Sequence, residues 1–400
     1  MKALRSTMSL ACTLLVGTAM AQDPAAAPAW SEAQQKGCDF LMQHQEKGVF
    51  SVMTRSGKAF PDPGFTSLAI AALESKPKAA RSDAEQAVID QGLRWVLKNQ
   101  NEDGSFGRNV PNYTTCAAVM ALSRWDDAKA ADDVAAALAK AQRYVLAIQN
   151  CEDNGSSRSD VEYGGIGYGS KGERSDLSNM QFAITALRQT GLPADHQAFA
   201  RAVVFLQRTQ NLGSANDLAG KIQVAAEGGE SKPLAVGDDG GAVYYPGESP
   251  AGVVDHPDGT RTPRSYGSMT YALLKTYTMC GLPADDPRVR AAVKWIGEHW
   301  TVTENPGADP KLPEATKYQG LFYYYMLLAQ ALDAVDLEKI ETAGKGEGEK
   351  AIDWRAELRK QLESMQRADG SWLNEQNPRW YEGLDILCTC YALLALEHCE

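Results

Sequence analysis

Carboxylates, tyrosines and one close arginine pair are the residues of this 400-residue chain that could do chemistry, and they are scattered. Four Asp-Asp doublets occur: Asp126-Asp127, Asp132-Asp133, Asp238-Asp239 and Asp285-Asp286. A carboxylic acid kept neutral by apolar surroundings can donate a proton. Asp238 and Asp239, in a long glycine-rich segment, and Asp385, at the head of the last apolar run, are the candidates for that role. Asp176 reads first as a helix N-cap, and Glu382 with Asp385 as acids favouring a helix dipole. Tyr266 and Thr270 are four apart, so on a helix they share a face and could line a cavity. Tyr324, within Phe322-Tyr-Tyr-Tyr-Met326, could add an aromatic wall, although three adjacent tyrosines cannot all point one way. Arg264, with Arg261, could meet an anionic ligand. The five histidines, at 44, 196, 256, 299 and 398, are dispersed. Cys388 and Cys390, two apart on a helix, point about 200° from one another and make no metal pair. No metal and no cofactor is expected.

These residues need a frame, and the chain supplies one by repetition. Trp95-Val-Leu-Lys-Asn-Gln-Asn-Glu-Asp-Gly-Ser-Phe-Gly107 joins the end of an apolar-faced helix to a glutamine, a turn and an aromatic. Leu362-Glu-Ser-Met-Gln-Arg-Ala-Asp-Gly-Ser-Trp372 repeats it, and Phe40–Phe50 is a looser copy. Pairing each glutamine with the residue five before it gives Phe40/Gln45, Trp95/Gln100, Tyr144/Gln149, Phe205/Gln210, Trp295/Trp300 and Gln361/Gln366. Gly104 and Gly370 supply the turn, and Phe106 and Trp372 pack back on the helix.

A second helical set lies between these segments: Thr66–Leu73, Thr114–Leu122, Asn179–Leu187, Ser268–Met279, Gln319–Leu332 and Asp385–Leu396. Their apolar residues recur at three and four, the helix period. Six helices of each kind, in alternation, close into an all-α (α/α)6 toroid with the second set inside the first. An open solenoid is the alternative and would need polar capping units.

Residues 1–21 read as a secretory signal: Lys2 and Arg5, an apolar core over Met8–Gly17, and cleavage near Ala21-Gln22 after Ala19-Met20-Ala21. Residues 22–30 form a flexible linker and 31–400 a single repeat domain, with a long loop insertion at about 211–265. A short hairpin is expected near Ala242–Tyr245, and Ala343–Lys350 is expected to be an exposed linker. A connection as long as the insertion is often a functional loop or lid. Removing Lys2 and Arg5 moves the formal charge from −11 to −13. That acidity argues against nucleic acid or an anionic membrane as partner. No run approaches 18 apolar residues, so no transmembrane segment is expected. Of the seven cysteines beyond the signal, Cys38 and Cys399 could form a staple across the ring closure.

The helix with aromatic-x4-Gln followed by Gly-x-aromatic resembles the QW repeat of squalene and oxidosqualene cyclases. More broadly, Lys36–Leu396 resembles the prenyltransferase/squalene oxidase repeat superfamily. That superfamily includes terpene cyclases, protein prenyltransferase β subunits and complement-type thioester domains, and the resemblance implies the toroid more firmly than any one reaction. The Asp-x-Asp-Asp acid of the class II cyclases is absent here, as are Asp-Asp-x-x-Asp, the zinc-binding Asp-x-Cys and the thioester Cys-Gly-Glu-Gln.

Two functions stay open. One is a secreted or periplasmic binding or scaffold protein using the toroid mouth for an apolar or carbohydrate-like ligand. The other is an enzyme, either a divergent cyclase-like isomerase or an (α/α)6 glycan-active enzyme. The last would need two carboxyl groups about 5 Å or roughly 6.5–9.5 Å apart.

Overall fold

The computed structural model describes residues 30–53, 57–225, 229–342 and 350–399. The expected signal and most of the linker lie outside them. Among the described residues, twelve α-helices alternate between two layers. The outer layer holds α1 (Glu32–Gln43), α3 (Asp83–Lys98), α5 (Ala131–Ala147), α7 (Gln197–Thr209), α9 (Pro287–Glu298) and α11 (Trp354–Met365). The inner layer holds α2 (Pro63–Glu74), α4 (Pro111–Leu122), α6 (Leu177–Gln189), α8 (Gly267–Met279), α10 (Leu321–Ala334) and α12 (Asp385–Leu396). Each inner helix packs on the next, and α12 returns to α2, so the ring is closed.

Sequence decides the layer. Helix α11 buries only Trp354, Leu358 and Leu362, one stripe at three- to four-residue spacing. Helix α10 buries ten of its fourteen residues, with 324–329 an unbroken run, as a helix packed on all sides must. Starts are specified locally. Ser31/Gln34 and Ser82/Glu85 form capping boxes on α1 and α3, and proline opens α2, α4 and α9.

The glutamine turn is a joint between successive outer helices. Gln100 Nε2 donates to the Gly104 carbonyl (3.0 Å) and to the Ala137 carbonyl in α5 (2.9 Å). Gln149 makes the same pair with Gly164 and Ala198, and Gln210 with Gly240 and Arg288. Gln366 donates to Gly370 and to Ala33 in α1, across the seam. In the fifth unit Trp300 substitutes, its indole N–H donating to Glu357 of α11 at 2.8 Å. Gln45 departs from the pattern: its amide donates to Met42 and accepts from Gly48, both local.

Gly104 and Gly370 have φ of +92° and +88°, and a Cβ on either would collide with the carbonyl of Lys140 or Lys36 in the next outer helix. Both the conformation and the close approach require glycine. The buried residue that follows is fixed to the inner layer by a threonine. Thr66, Thr115, Thr270 and Thr389 accept from the backbone N–H of Phe50, Phe106, Ala242 and Trp372.

Several expectations are corrected. Cys38 and Cys399 are not joined; each remains a thiol, and Cys399 donates within its own helical turn to Ala395. Closure rests on helix packing and Gln366 instead. The insertion is not structureless: it carries β3 (Gln223–Val224) paired with β4 (Lys232–Pro233), and β5 (Val253–Asp255) paired with β6 (Arg261–Pro263). The hairpins β1–β2 (Ser51–Met53, Ala59–Pro61) and β7–β8 (Ile340–Thr342, Lys350–Ile352) flank α2 and α11. Leu218, Val224 and Leu234 form a small apolar cluster of the insertion's own. The segment Ala242–Tyr245 is not a hairpin; it runs past Gln210 and contributes single bridges. Lys350 pairs with Thr342, while 343–349 lie outside the described residues.

Candidate functional site: the inner-helix mouth

Successive inner helices are joined through an outer helix that runs back, so all six inner N-termini gather at one end of the ring. Deep inner-helix side chains are mostly inaccessible, but a group on three neighbours is not. Leu68 in α2, Ala117 in α4 and Leu387 in α12 each keep 7% of their surface. Phe65, Tyr113 and Tyr391, three or four residues from them, are half-buried. Each pair shares one helix face. These faces meet around the axis, and their residual exposure points to a recess at the N-terminal mouth.

The other half of the axis is walled by aromatic rings. Phe182 of α6 and Tyr323 of α10 stack at 6.2 Å and 17°, bypassing α8 between them. Tyr113 meets Phe182 edge-on at 5.3 Å, and Tyr323 meets Tyr391 at 5.8 Å. The result is a continuous aromatic file across four inner helices. Hydroxyls run behind it: Tyr113 donates to Ser178 (2.8 Å), Ser178 and Tyr323 share a bond (2.7 Å), and the Gln181 amide donates to Tyr323 (3.2 Å). Among the described residues the Tyr391 hydroxyl makes no hydrogen bond. It is the unspent polar group of the recess.

Two buried carboxyls flank this mouth. Asp176, 2% exposed, is the N-cap of α6 and accepts from the Asn179 backbone (2.8 Å) and side-chain amide (2.7 Å). Burial pushes its pKa up against those hydrogen bonds, and the Tyr244 hydroxyl also reaches it. No lysine or arginine among the described residues stands within ion-pair distance of it. Glu382 accepts from the Tyr323 backbone N–H (2.8 Å) and from Asn374 (2.7 Å). Burial raises it to about 7, opposed by backbone donors of Leu321, Phe322 and Tyr323. Glu382 therefore caps α10, a neighbouring helix rather than its own, where Gly320 offers no side-chain cap.

The sequence candidates separate on this geometry. Asp385 stands in the first turn of α12 at the mouth, half-exposed, its carboxylate on the Ile386 N–H. Asp238 and Asp239 do not reach the axis. Asp239 holds the turn after α7, accepting from Gly241 and Ser265, as Asp103 and Asp369 do in their units. Asp238, exposed, accepts from Gly213. Thr270 is spent on the frame, bonded to Ala242 and Tyr266. Tyr324 turns away from the axis, wholly buried, and donates to Thr301; its neighbour Tyr323 is the axial tyrosine. Arg264 faces Asp309 at 3.6 Å instead of an open site. Tyr266 lines a cavity of about 10 Å³ with Trp380, Gln319 and Asn305, room for one water.

Residues 62–220 match the sequence model of the squalene-hopene cyclase C-terminal domain. The closed α/α ring is similar in architecture to squalene-hopene cyclase-like proteins. No curated protein matches the sequence. Among solved structures, a protein from Actinoplanes is 16% identical over 92% of this chain and 98% of its own, with a TM-score of 0.45. The type II terpene cyclase MstE from Scytonema, as a variant holding its product merosterolic acid A, is 14% identical over 92% of this chain and 95% of its own, at 0.48. Its apo form is 15% identical over 91% and 96%, at 0.46.

Sequence reasoning missed Tyr113, Tyr323 and Tyr391 as a group, because their meeting depends on which inner helices are neighbours. It also missed Lys275. A lone lysine inside the apolar run Tyr271-Ala-Leu-Leu-Lys-Thr-Tyr277 was a signal available without a structure. Among the described residues no group of three or more His, Cys, Asp or Glu is placed to hold a metal, and no helix is long and apolar enough to cross a membrane.

Proposed function

We propose that this chain acts outside the cytoplasm as a binding protein, and that the recess between α2, α4 and α12 takes an apolar, terpenoid-like ligand. The observation that carries the reading is the residual accessibility of Leu68, Ala117 and Leu387 on three neighbouring inner helices, beside half-buried Phe65, Tyr113 and Tyr391. Apolar walls and aromatic faces reward burial of hydrocarbon, at about 25 cal/mol per Å². One hydroxyl, that of Tyr391, remains to orient a polar end. Export rests on the signal-like residues 1–21. The test is native mass spectrometry of the purified mature chain, followed by titration with a prenyl alcohol such as farnesol. Saturable binding to the wild type that is lost in Ala117→Trp, with the melting temperature kept, supports it. Equal binding by both proteins sinks it.

A second reading has its own observation. Asp176 is a buried carboxyl without a cationic partner, next to Tyr244, and such a group can serve as a general acid. The reading is then a cyclase-like isomerase. Asn also caps helices well, so Asp176→Asn keeps α6 and removes the proton. An enzyme would lose turnover of a prenyl substrate in this variant, whereas a binding protein would keep its affinity.

A further inference from the structure

At the opposite end of the ring the axis holds a different chemistry. Lys275 is the one charged residue of α8 and is 4% exposed. Its Nζ donates to Gln181 Oε1 in α6 (3.0 Å) and to Gln330 Oε1 in α10 (2.8 Å). No carboxylate among the described residues lies within ion-pair distance of it. Two acceptors match the two N–H groups of a neutral amine and leave its lone pair unspent. An ammonium here would carry a third N–H with no acceptor, which is costly in a buried site. Burial accordingly brings the pKa down to about 7, and the one titratable neighbour acting on it is the Cys116 thiol of α4. Burial raises that thiol as well, so it too is neutral.

Beyond the amine the axis is less tightly packed. Thr185 lies four residues after Gln181 and Thr278 three after Lys275, so both continue the axial faces of their helices. Thr185, Thr278 and Gln330 are all half-buried rather than closed off, although they belong to the inner layer. Thr278 stands about one helical turn, roughly 5 Å, beyond Lys275, and Thr185 about one turn beyond Gln181, while Gln330 is the amine's own acceptor. Their hydroxyls and amide make this end of the axis polar, unlike the aromatic recess at the other mouth.

We infer that Lys275 is a carbonyl-reactive amine reached from this polar end of the axis, and that it takes a small aldehyde or unhindered ketone as an imine. The amine nitrogen attacks the carbonyl carbon and the C–N bond forms. The carbonyl oxygen leaves as water, taking both protons of the amine, and the C=N bond remains. No oxidant or reductant enters the step. Gln181 and Gln330 hold the amine in place and, being neutral, do not protonate it.

The experiment uses propanal with cyanoborohydride, which reduces any imine to a stable propyl-lysine, on the folded mature chain at pH 7. Peptide mass mapping compares Lys275 with the exposed Lys98. The expected result is Lys275 labelled at least about ten-fold faster than the exposed Lys98. Gln330→Glu keeps the lysine but sets a carboxylate beside it, which favours the ammonium, so labelling of Lys275 should fall about ten-fold or more. Lys275 labelled only after unfolding in urea, or labelled equally in Gln330→Glu, would overturn the assignment. Gln181 also donates to Tyr323 behind the N-terminal aromatic file, but Lys275 and Gln330 are not among the residues assigned to that recess, so farnesol binding there is measured as a separate readout.

Discussion

Gln366, at the end of the last outer helix, donates to the carbonyl of Ala33 in the first at 2.8 Å, a contact between residues 333 apart in sequence. The same amide holds Gly370 at 2.9 Å, so one side chain fixes both the sixth turn and the ring seam. Gln366→Ala removes both donors and leaves two carbonyls short of a partner. A loss of about 2–3 kcal/mol is expected from two hydrogen bonds of this kind. Gln45→Ala, whose bonds are local, should cost about 1 kcal/mol or less. Urea denaturation of the two variants checks the ranking, and equal losses would show that the seam bond carries no special weight.

The turn glycines give a sharper contrast. In Gly104→Ala the new methyl meets the Lys140 carbonyl of α5 while the backbone is held at a positive φ. Strain and collision together should cost about 3 kcal/mol or more. Gly155 has a similar φ of +88° but nothing within 4 Å of its Cβ position. There only the conformational term remains, about 1 kcal/mol. Thermal melts of both variants separate space from backbone geometry.

The layers were legible in the sequence for a physical reason. Helix period, glutamine spacing and turn residues are local properties, and most of the six units carry them separately, Trp300 standing for the glutamine in the fifth. The site was less legible. Asp239 looked like an acid in a loop, but its position one residue before Gly240 repeats Asp103-Gly104 and Asp369-Gly370, and the structure uses all three as turn acceptors. Thr270 likewise repeats Thr66, Thr115 and Thr389. Tyr323 and Tyr324 differ by one residue and about 100° on the helix, and nothing local says which of them faces the axis. Glu382 capping α10 joins two units, so no reading of its own helix could show it.

Ligand orientation in the recess is testable at Tyr391. If its hydroxyl meets the polar end of a bound prenyl alcohol, Tyr391→Phe removes one hydrogen bond without removing the ring. Farnesol affinity should fall about five- to ten-fold, the worth of roughly 1 kcal/mol. The hydrocarbon farnesene, lacking the hydroxyl, should bind both proteins equally. Isothermal titration decides, and an equal loss for both ligands would assign the effect to packing.

Buried ionisable groups make stability depend on pH in two opposed directions. Glu74 is buried, its Oε2 has no hydrogen-bond partner, and burial lifts its pKa from 4.5 to about 8, with Arg124 and Arg81 opposing and Glu397 and Asp90 reinforcing. A raised acid holds its proton better in the folded state. Its stabilising contribution is complete below about pH 4.5 and is lost as pH rises through 8. Lys275 is the reverse case, lowered from 10.5 to about 7. Its contribution is complete above pH 10.5 and is lost as pH falls through 7. The variants separate the two. Glu74→Gln should flatten the decline between about pH 5 and 8, gaining a few kcal/mol over the wild type near pH 8.5 and little near pH 5. Lys275→Met should instead gain a few kcal/mol near pH 6 and progressively less toward about pH 10. Urea unfolding across that range checks both. A Lys275→Met curve parallel to the wild type would mean that the amine stays charged in the folded ring, and the neutral-amine chemistry at that end of the axis would go with it.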